Sequence, residues 1–260
     1  MCKECGCGLG GGDVKIGGHA HEHGHAHDHG HGHDHPHEHG HSHAGKTLSL
    51  NLSLLEKNVR LAEQNRGFFR AKRLLVLNVV SSPGSGKTTF IRETAAKLAG
   101  KLRVGVIVGD LATDNDAARL RTAGIPVVQI TTGTVCHLDA DMVARAAAQL
   151  DLDQLDVLVI ENVGNLVCPA DYDLGEDLRV VLLSVTEGED KPLKYPPMFH
   201  SAQVAVVTKS DMAAAAGFNR KLALQNLERV SHHARIFELS AKTGDGMKAW
   251  LDFLVEQRQA

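Results

Sequence analysis

From residue 72 onward the chain alternates short, almost wholly apolar runs with longer stretches in which apolar residues recur every three or four positions. The apolar runs cover 74–80, 104–108, 127–130, 157–160, 179–184, 204–207 and 236–239. Runs of this length without polar alternation predict strands buried on both faces. Helical patterns lie between them, at 90–98, from near Ala117, from the 131–140 loop through Leu150, and at about 247–256, where Trp250, Leu251 and Leu254 would pack on the sheet. The segment 187–200 holds three prolines and reads as irregular with one short helix, His200 being a structural residue. The predicted fold is α/β: a mostly parallel sheet with helices on both faces, over residues 72–260.

Two segments precede that unit. In 47–71, Ser53 and Glu56 fit a capping box, and Leu54, Leu55, Val59 and Ala62 fall on one side of a helix that would stop near Gly67. This predicts an amphipathic connector lying against the sheet domain. Residues 1–46 carry no core-forming pattern. Thirteen histidines occupy every odd position from 19 to 43: His19, His21, His23, His25, His27, His29, His31, His33, His35, His37, His39, His41 and His43. Small and acidic residues separate them, so the tract is expected to be disordered without metal. Many neutral imidazoles on such a chain suit loose storage of several Ni²⁺-like ions. Upstream, Cys2, Cys5 and Cys7 place three thiols within six residues, enough to close around one soft or borderline ion.

The loop after the first apolar run carries the clearest chemistry. Ser81-Ser-Pro-Gly84-Ser85-Gly86-Lys87-Thr88-Thr89 joins a strand to a helix and ends in Gly-Lys-Thr, the phosphate-cradling P-loop pattern, with Ser81 where glycine is usual. Backbone N–H groups would wrap a polyphosphate, Lys87 would reach the β- and γ-phosphates, and Thr88 would hold Mg²⁺. Asp110, Asp114 and Asp116 cluster after the second apolar run, where ligands bind in open α/β sheets, and are candidates for Mg²⁺ coordination and water orientation. Glu161 ends another run three residues before Gly164, a D-x-x-G switch pattern with Glu for Asp. Cys168 follows on the same loop, and Cys136-His137 offers two more metal ligands. Thr208-Lys209-Ser210-Asp211 resembles the guanine-reading N-K-x-D pattern with Thr for Asn. Ser240-Ala241-Lys242 would present N–H groups to guanine O6.

Charge narrows the partners. Residues 1–46 hold six acidic residues and three lysines, while the remainder balances at 25 of each sign, so the formal charge of −3 belongs to the N-terminal segment. With no basic surplus, nucleic acid is not an expected partner, and no run approaches the ~18 residues of a membrane span. Five cysteines and no secretory h-region predict reduced thiols in the cytoplasm.

Taken together, C-x-x-C-G-C, the histidine tract, C-H-L-D-A, E-N-V-G-N-L-V-C-P-A, T-K-S-D and S-A-K closely resemble the HypB family, the nickel-incorporation GTPases of [NiFe]-hydrogenase maturation. The resemblance covers essentially the whole chain. It implies a tight nickel site at Cys2, Cys5 and Cys7 and a second Ni²⁺ or Zn²⁺ site at Cys136, His137 and Cys168, near a GTP-dependent homodimer interface. It also implies phosphate and Mg²⁺ roles for Lys87, Thr88, Asp110, Asp116 and Glu161, hydrolysis of GTP to GDP, and transfer of nickel to a maturation partner and the hydrogenase large subunit. Thr208 replaces an asparagine that normally braces the P-loop, so guanine selectivity would rest more on Asp211. Two alternatives stand beside this reading: a urease-type nickel-insertion GTPase, and a nickel or zinc buffer with a regulatory GTPase domain.

Overall fold

The computed structural model describes residues 15–16 and 43–259, with side chains described at Ile16 and from Ser53 onward. The elements run β1 (Lys15–Ile16), α1 (His43–Ala71), β2 (Leu75–Ser81), α2 (Lys87–Leu98), β3 (Val104–Asp110), α3 (Asn115–Thr122), β4 (Val127–Thr131) and α4 (Ala140–Ala147). They continue with β5 (Val157–Glu161), β6 (Leu178–Ser184), α5 (Lys191–Lys194), α6 (Pro196–Ser201), β7 (Val204–Thr208), α7 (Arg220–Val230), β8 (Arg235–Glu238) and α8 (Met247–Gln259). The sheet order is β1-β4-β3-β5-β2-β6-β7-β8. Strands β2 to β8 are all parallel, and β1 adds an antiparallel edge through Lys15 opposite Thr131. This β1 pairing, beside the loop that leads to Cys136, had no counterpart in the sequence pattern.

Alternation along β2 shows how the layers form. Leu75, Leu77 and Val79 face a core shared with α2, α3 and α8, where Trp250 is fully buried and donates to Thr94 Oγ1 at 3.0 Å. Leu74 and Val76 face α1 and α4, and Val80 faces α6 and α7. Between these two halves of the second face stands Asn78, polar and fully buried in the middle strand.

Helix α1 departs from expectation in three ways. It starts at His43, so Ser53 lies inside it rather than capping it, and no proline or glycine in 47–52 would stop it from extending back. It also runs through Gly67 to Ala71. Its docking face is Asn58, Ala62, Asn65 and Phe69, all buried, while Leu54 and Val59 of the expected apolar stripe are exposed. Polar bonds explain the rotation. Asn58 Oδ1 accepts from Ala140 N and Asn65 Nδ2 donates to Ala140 O, both at 2.8 Å, so α1 grips the first residue of α4. Arg66 adds a two-pronged bond to Asp173 at 2.7 and 2.8 Å. Among the described residues no helix is long and apolar enough to cross a membrane.

Candidate functional site

All the loops singled out in the sequence, apart from the N-terminal motifs, follow the carboxyl ends of parallel strands. The P-loop leaves β2 at Ser81 and enters α2 at Lys87. Gly84 (φ 75°) and Gly86 (φ 98°) are left-handed, a conformation costly for any side chain. Lys87 is buried and its ammonium donates to Ser81 Oγ at 3.1 Å, while Ser81 is also bonded to Ser85. The serine in place of the usual glycine therefore sits under the arch and holds its lysine. Burial pushes Lys87 below the usual lysine range, with Glu161 and Asp116 opposing.

From β7, Thr208 Oγ1 donates to Ser85 O at 3.2 Å and Lys209 Nζ to Gly84 O at 2.8 Å. The expectation that Thr208 forfeits the brace is thus corrected: its hydroxyl reaches the loop carbonyl. Ser210 N donates to Leu239 O at 3.2 Å, which joins the two base-reading loops, and Ser240 is buried while Asp211 and Lys242 are exposed. An exposed carboxylate beside a lysine stem suits the two N–H edges of guanine.

Glu161, buried at the tip of β5, accepts from Thr88 Oγ1 at 2.7 Å through Oε1. Its Oε2 is buried without a hydrogen-bond partner. Burial raises its carboxyl to about 7, against the pull of Lys87 and Thr88. A hydroxyl and an orphaned carboxylate oxygen meeting beside the phosphate lysine form a donor set that fits a hard divalent ion such as Mg²⁺. Asp110 and Asp116 act on both Lys87 and Glu161 electrostatically. Asp116 pairs with Arg119 at 3.1 Å, and Asp110 accepts from Thr113 Oγ1 at 2.9 Å. Gly164 packs tightly: a Cβ would lie 3.1 Å from the Pro83 backbone, which would have to give by a few tenths of an ångström, so this loop rests directly on the P-loop.

The same loop reaches the second cluster. Ligand atoms of Cys136, His137 and Cys168 all lie within 4.8 Å of one another, and the two sulfurs are 3.0 Å apart. His137 is buried, its Nδ1 lacks a hydrogen-bond partner, and its ring stacks on Tyr172 at 3.8 Å. Burial lowers its pKa, which keeps it neutral and able to ligate. Two thiols and one imidazole with an orphaned nitrogen fit Ni²⁺ or Zn²⁺.

A buried polar chain, missed in the sequence, ties the two clusters. Asn162 Oδ1 accepts from Val163 N at 2.9 Å and from Leu138 N at 3.4 Å, one residue past His137. Asn162 Nδ2 donates to Asn78 Oδ1 at 3.2 Å, and Asn78 Nδ2 donates to Glu176 Oε1 at 3.0 Å. Arg179 pairs with Glu176 at 3.0 Å and donates to Tyr172 O at 2.8 Å, behind the His137 stack. A lone Asn in an apolar strand and an arginine opening another were the only local signals. Glu187 and Lys191 were also missed: Lys191 Nζ donates to Ser82 Oγ at 3.4 Å on the P-loop flank, and burial raises the Glu187 carboxyl. Cys2, Cys5, Cys7 and the tract from His19 to His41 lie outside the described residues. His43 opens α1.

Residues 75–238 match the family model for the CobW/HypB/UreG nucleotide-binding domain. The chain is 50% identical over 215 residues to the hydrogenase maturation factor HypB of Escherichia coli (strain K12), covering 83% of this chain and 74% of that protein. The chain belongs to the HypB family. Its fold agrees with solved HypB structures. One is HypB from Helicobacter pylori in complex with nickel (TM-score 0.75, 40% identity, 78% of this chain and 95% of that one). Another is the hydrogenase maturation factor HypB from Archaeoglobus fulgidus (TM-score 0.73, 38% identity, 78% and 99%). As HypB-family residues, the P-loop and strand-tip groups constitute a nucleotide-binding domain of the P-loop GTPase fold.

Proposed function

We propose that the chain hydrolyses GTP to GDP in order to control nickel held at Cys136, His137 and Cys168, and that it delivers this nickel during [NiFe]-hydrogenase maturation. The observation that carries the reading is one short loop with Glu161 at the phosphate end and Cys168 at the thiolate end, packed on Pro83 through Gly164. Lys87 and the P-loop N–H groups bind the phosphates. Thr88 and Glu161 would hold Mg²⁺, with Asp116 and Asp110 beside them, and the ion would supply positive charge to the phosphates. Asp211 and Lys209 select guanine.

Loss of the γ-phosphate shifts Gly164 against Pro83, and the shift reaches Cys168 through the same backbone. Thiolate geometry then differs between the GTP and GDP states, which is what controlled release requires. GTP-dependent pairing of two chains would bring two such sites together. The receivers are a maturation partner and the hydrogenase large subunit. Adjacent Cys136-His137 with a separate Cys168 favours this role over urease insertion. The histidine tract and Cys2, Cys5 and Cys7 would load and store Ni²⁺.

Reciprocity supplies the test: nickel must change nucleotide affinity if nucleotide changes nickel affinity. Titration of GDP and a non-hydrolysable GTP analogue into the full chain, with and without Ni²⁺, should show a nickel-dependent change in their ratio that C136A removes. Equal ratios in all four conditions contradict the coupling.

A further inference from the structure

At the opposite end of the sheet from the nucleotide loops, His200 at the end of α6 and His232-His233 in the turn between α7 and β8 come together. The rings of His200 and His233 lie 5.4 Å apart and those of His232 and His233 5.5 Å apart, each pair near perpendicular. All three are exposed. We propose that these histidines form a surface site for a borderline divalent cation such as Ni²⁺ or Zn²⁺, separate from Cys136, His137 and Cys168.

Three observations support it. An ion about 2.1 Å from each of two imidazole nitrogens in tetrahedral array places the ring centres roughly 5 Å apart, the spacing found here. His200 Nδ1 lies 3.2 Å from Val230 O, and because a carbonyl can only accept, the proton is on Nδ1 and Nε2 carries the ligating lone pair. A second ring nitrogen donating to a backbone carbonyl is the usual support of a metal-bound histidine. Finally, the backbone under the rings is fixed. Ser231, buried between Val230 and His232, donates through Oγ to Phe199 O at 2.5 Å, next to His200. Helix α7 ends there at Val230, so its carbonyl end faces the site and favours a cation.

His200 and His232 each flank His233 rather than each other, so the site closes by rotation of exposed rings about fixed Cα positions. The neighbouring cation, Arg235, lies over Phe253 at 4.8 Å and pairs with Glu256 at 3.8 Å. Water completes the coordination.

The test is carbethoxylation of histidines in the full chain at neutral pH, read residue by residue by mass spectrometry, with and without Ni²⁺ in excess over the N-terminal tract. Ni²⁺ should slow modification of His200 and His233 several-fold together. H233A should return His200 to its metal-free rate, and the protection should persist in C136A. Equal rates with and without Ni²⁺, or protection at His200 that survives H233A, would overturn the site. If H233A lowers the melting temperature, the conservative variant H233Q read at His200 gives the same decision.

Discussion

The hydroxyl of Thr88 donates to Glu161 Oε1 at 2.7 Å across the gap between α2 and the tip of β5, while Glu161 Oε2 stays buried without a partner. The carboxyl is therefore costly to ionise until a cation arrives, and it lies at about 7. A carboxyl raised in the folded state binds more protons folded than unfolded. Its contribution is fully present below the unfolded value near 4.5 and is lost as pH rises through about 7. With chelator present and no nucleotide, the stability of the chain relative to E161Q should fall between pH 5 and pH 8, on the order of 3 kcal/mol at most. Thermal melts of both proteins across that window check this, and parallel curves contradict it. Mg²⁺ with nucleotide should reverse the order at pH 8.

Thr208 Oγ1 braces the P-loop at Ser85 O. A buried hydrogen bond of this kind contributes about 1 kcal/mol net. T208A should therefore weaken GTP binding by roughly five-fold. GTP and GDP should lose equally, because the brace supports the loop rather than the γ-phosphate. Titration of both nucleotides decides it.

D211N replaces an acceptor with a donor where guanine presents two N–H groups. GTP affinity should fall roughly ten- to a hundred-fold, the range for hydrogen bonds to a charged group. Affinity for xanthosine triphosphate, which offers a carbonyl at that position, should rise. Unchanged base preference would remove Asp211 from the base site.

Asn162 satisfies Val163 N and Leu138 N on the two loops that hold Glu161 and His137. N162A leaves buried N–H groups unpaired, at about 1–3 kcal/mol for each. It should lower the melting temperature by several degrees and weaken Ni²⁺ binding at the cysteine site, the latter measured against C136A.

Much of this was legible because the inner parallel strands β2, β3, β5, β6 and β7 are buried on both faces and write apolar runs. The P-loop, Glu161 and Asp211 follow those runs directly. What the chain hid lies in long-range polar contacts. Asn58 and Asn65 turn α1 onto residues 75 to 115 positions away, so the apolar stripe at Leu54 and Val59 pointed to the wrong face. The chain from Asn162 through Asn78 to Glu176 joins three segments 84 and 98 residues apart in sequence, which share no local pattern. Thr208 was read as a loss because its neighbour Ser85 O is 123 residues away.

The most direct test of the account measures Ni²⁺ affinity at the Cys136, His137 and Cys168 site, taken as the difference between the full chain and C136A, with GDP and with a non-hydrolysable GTP analogue. The account predicts affinities that differ by about five-fold or more between the two nucleotides, a coupling of at least about 1 kcal/mol, with the difference abolished by E161Q. Equal affinities in the two nucleotide states would contradict it.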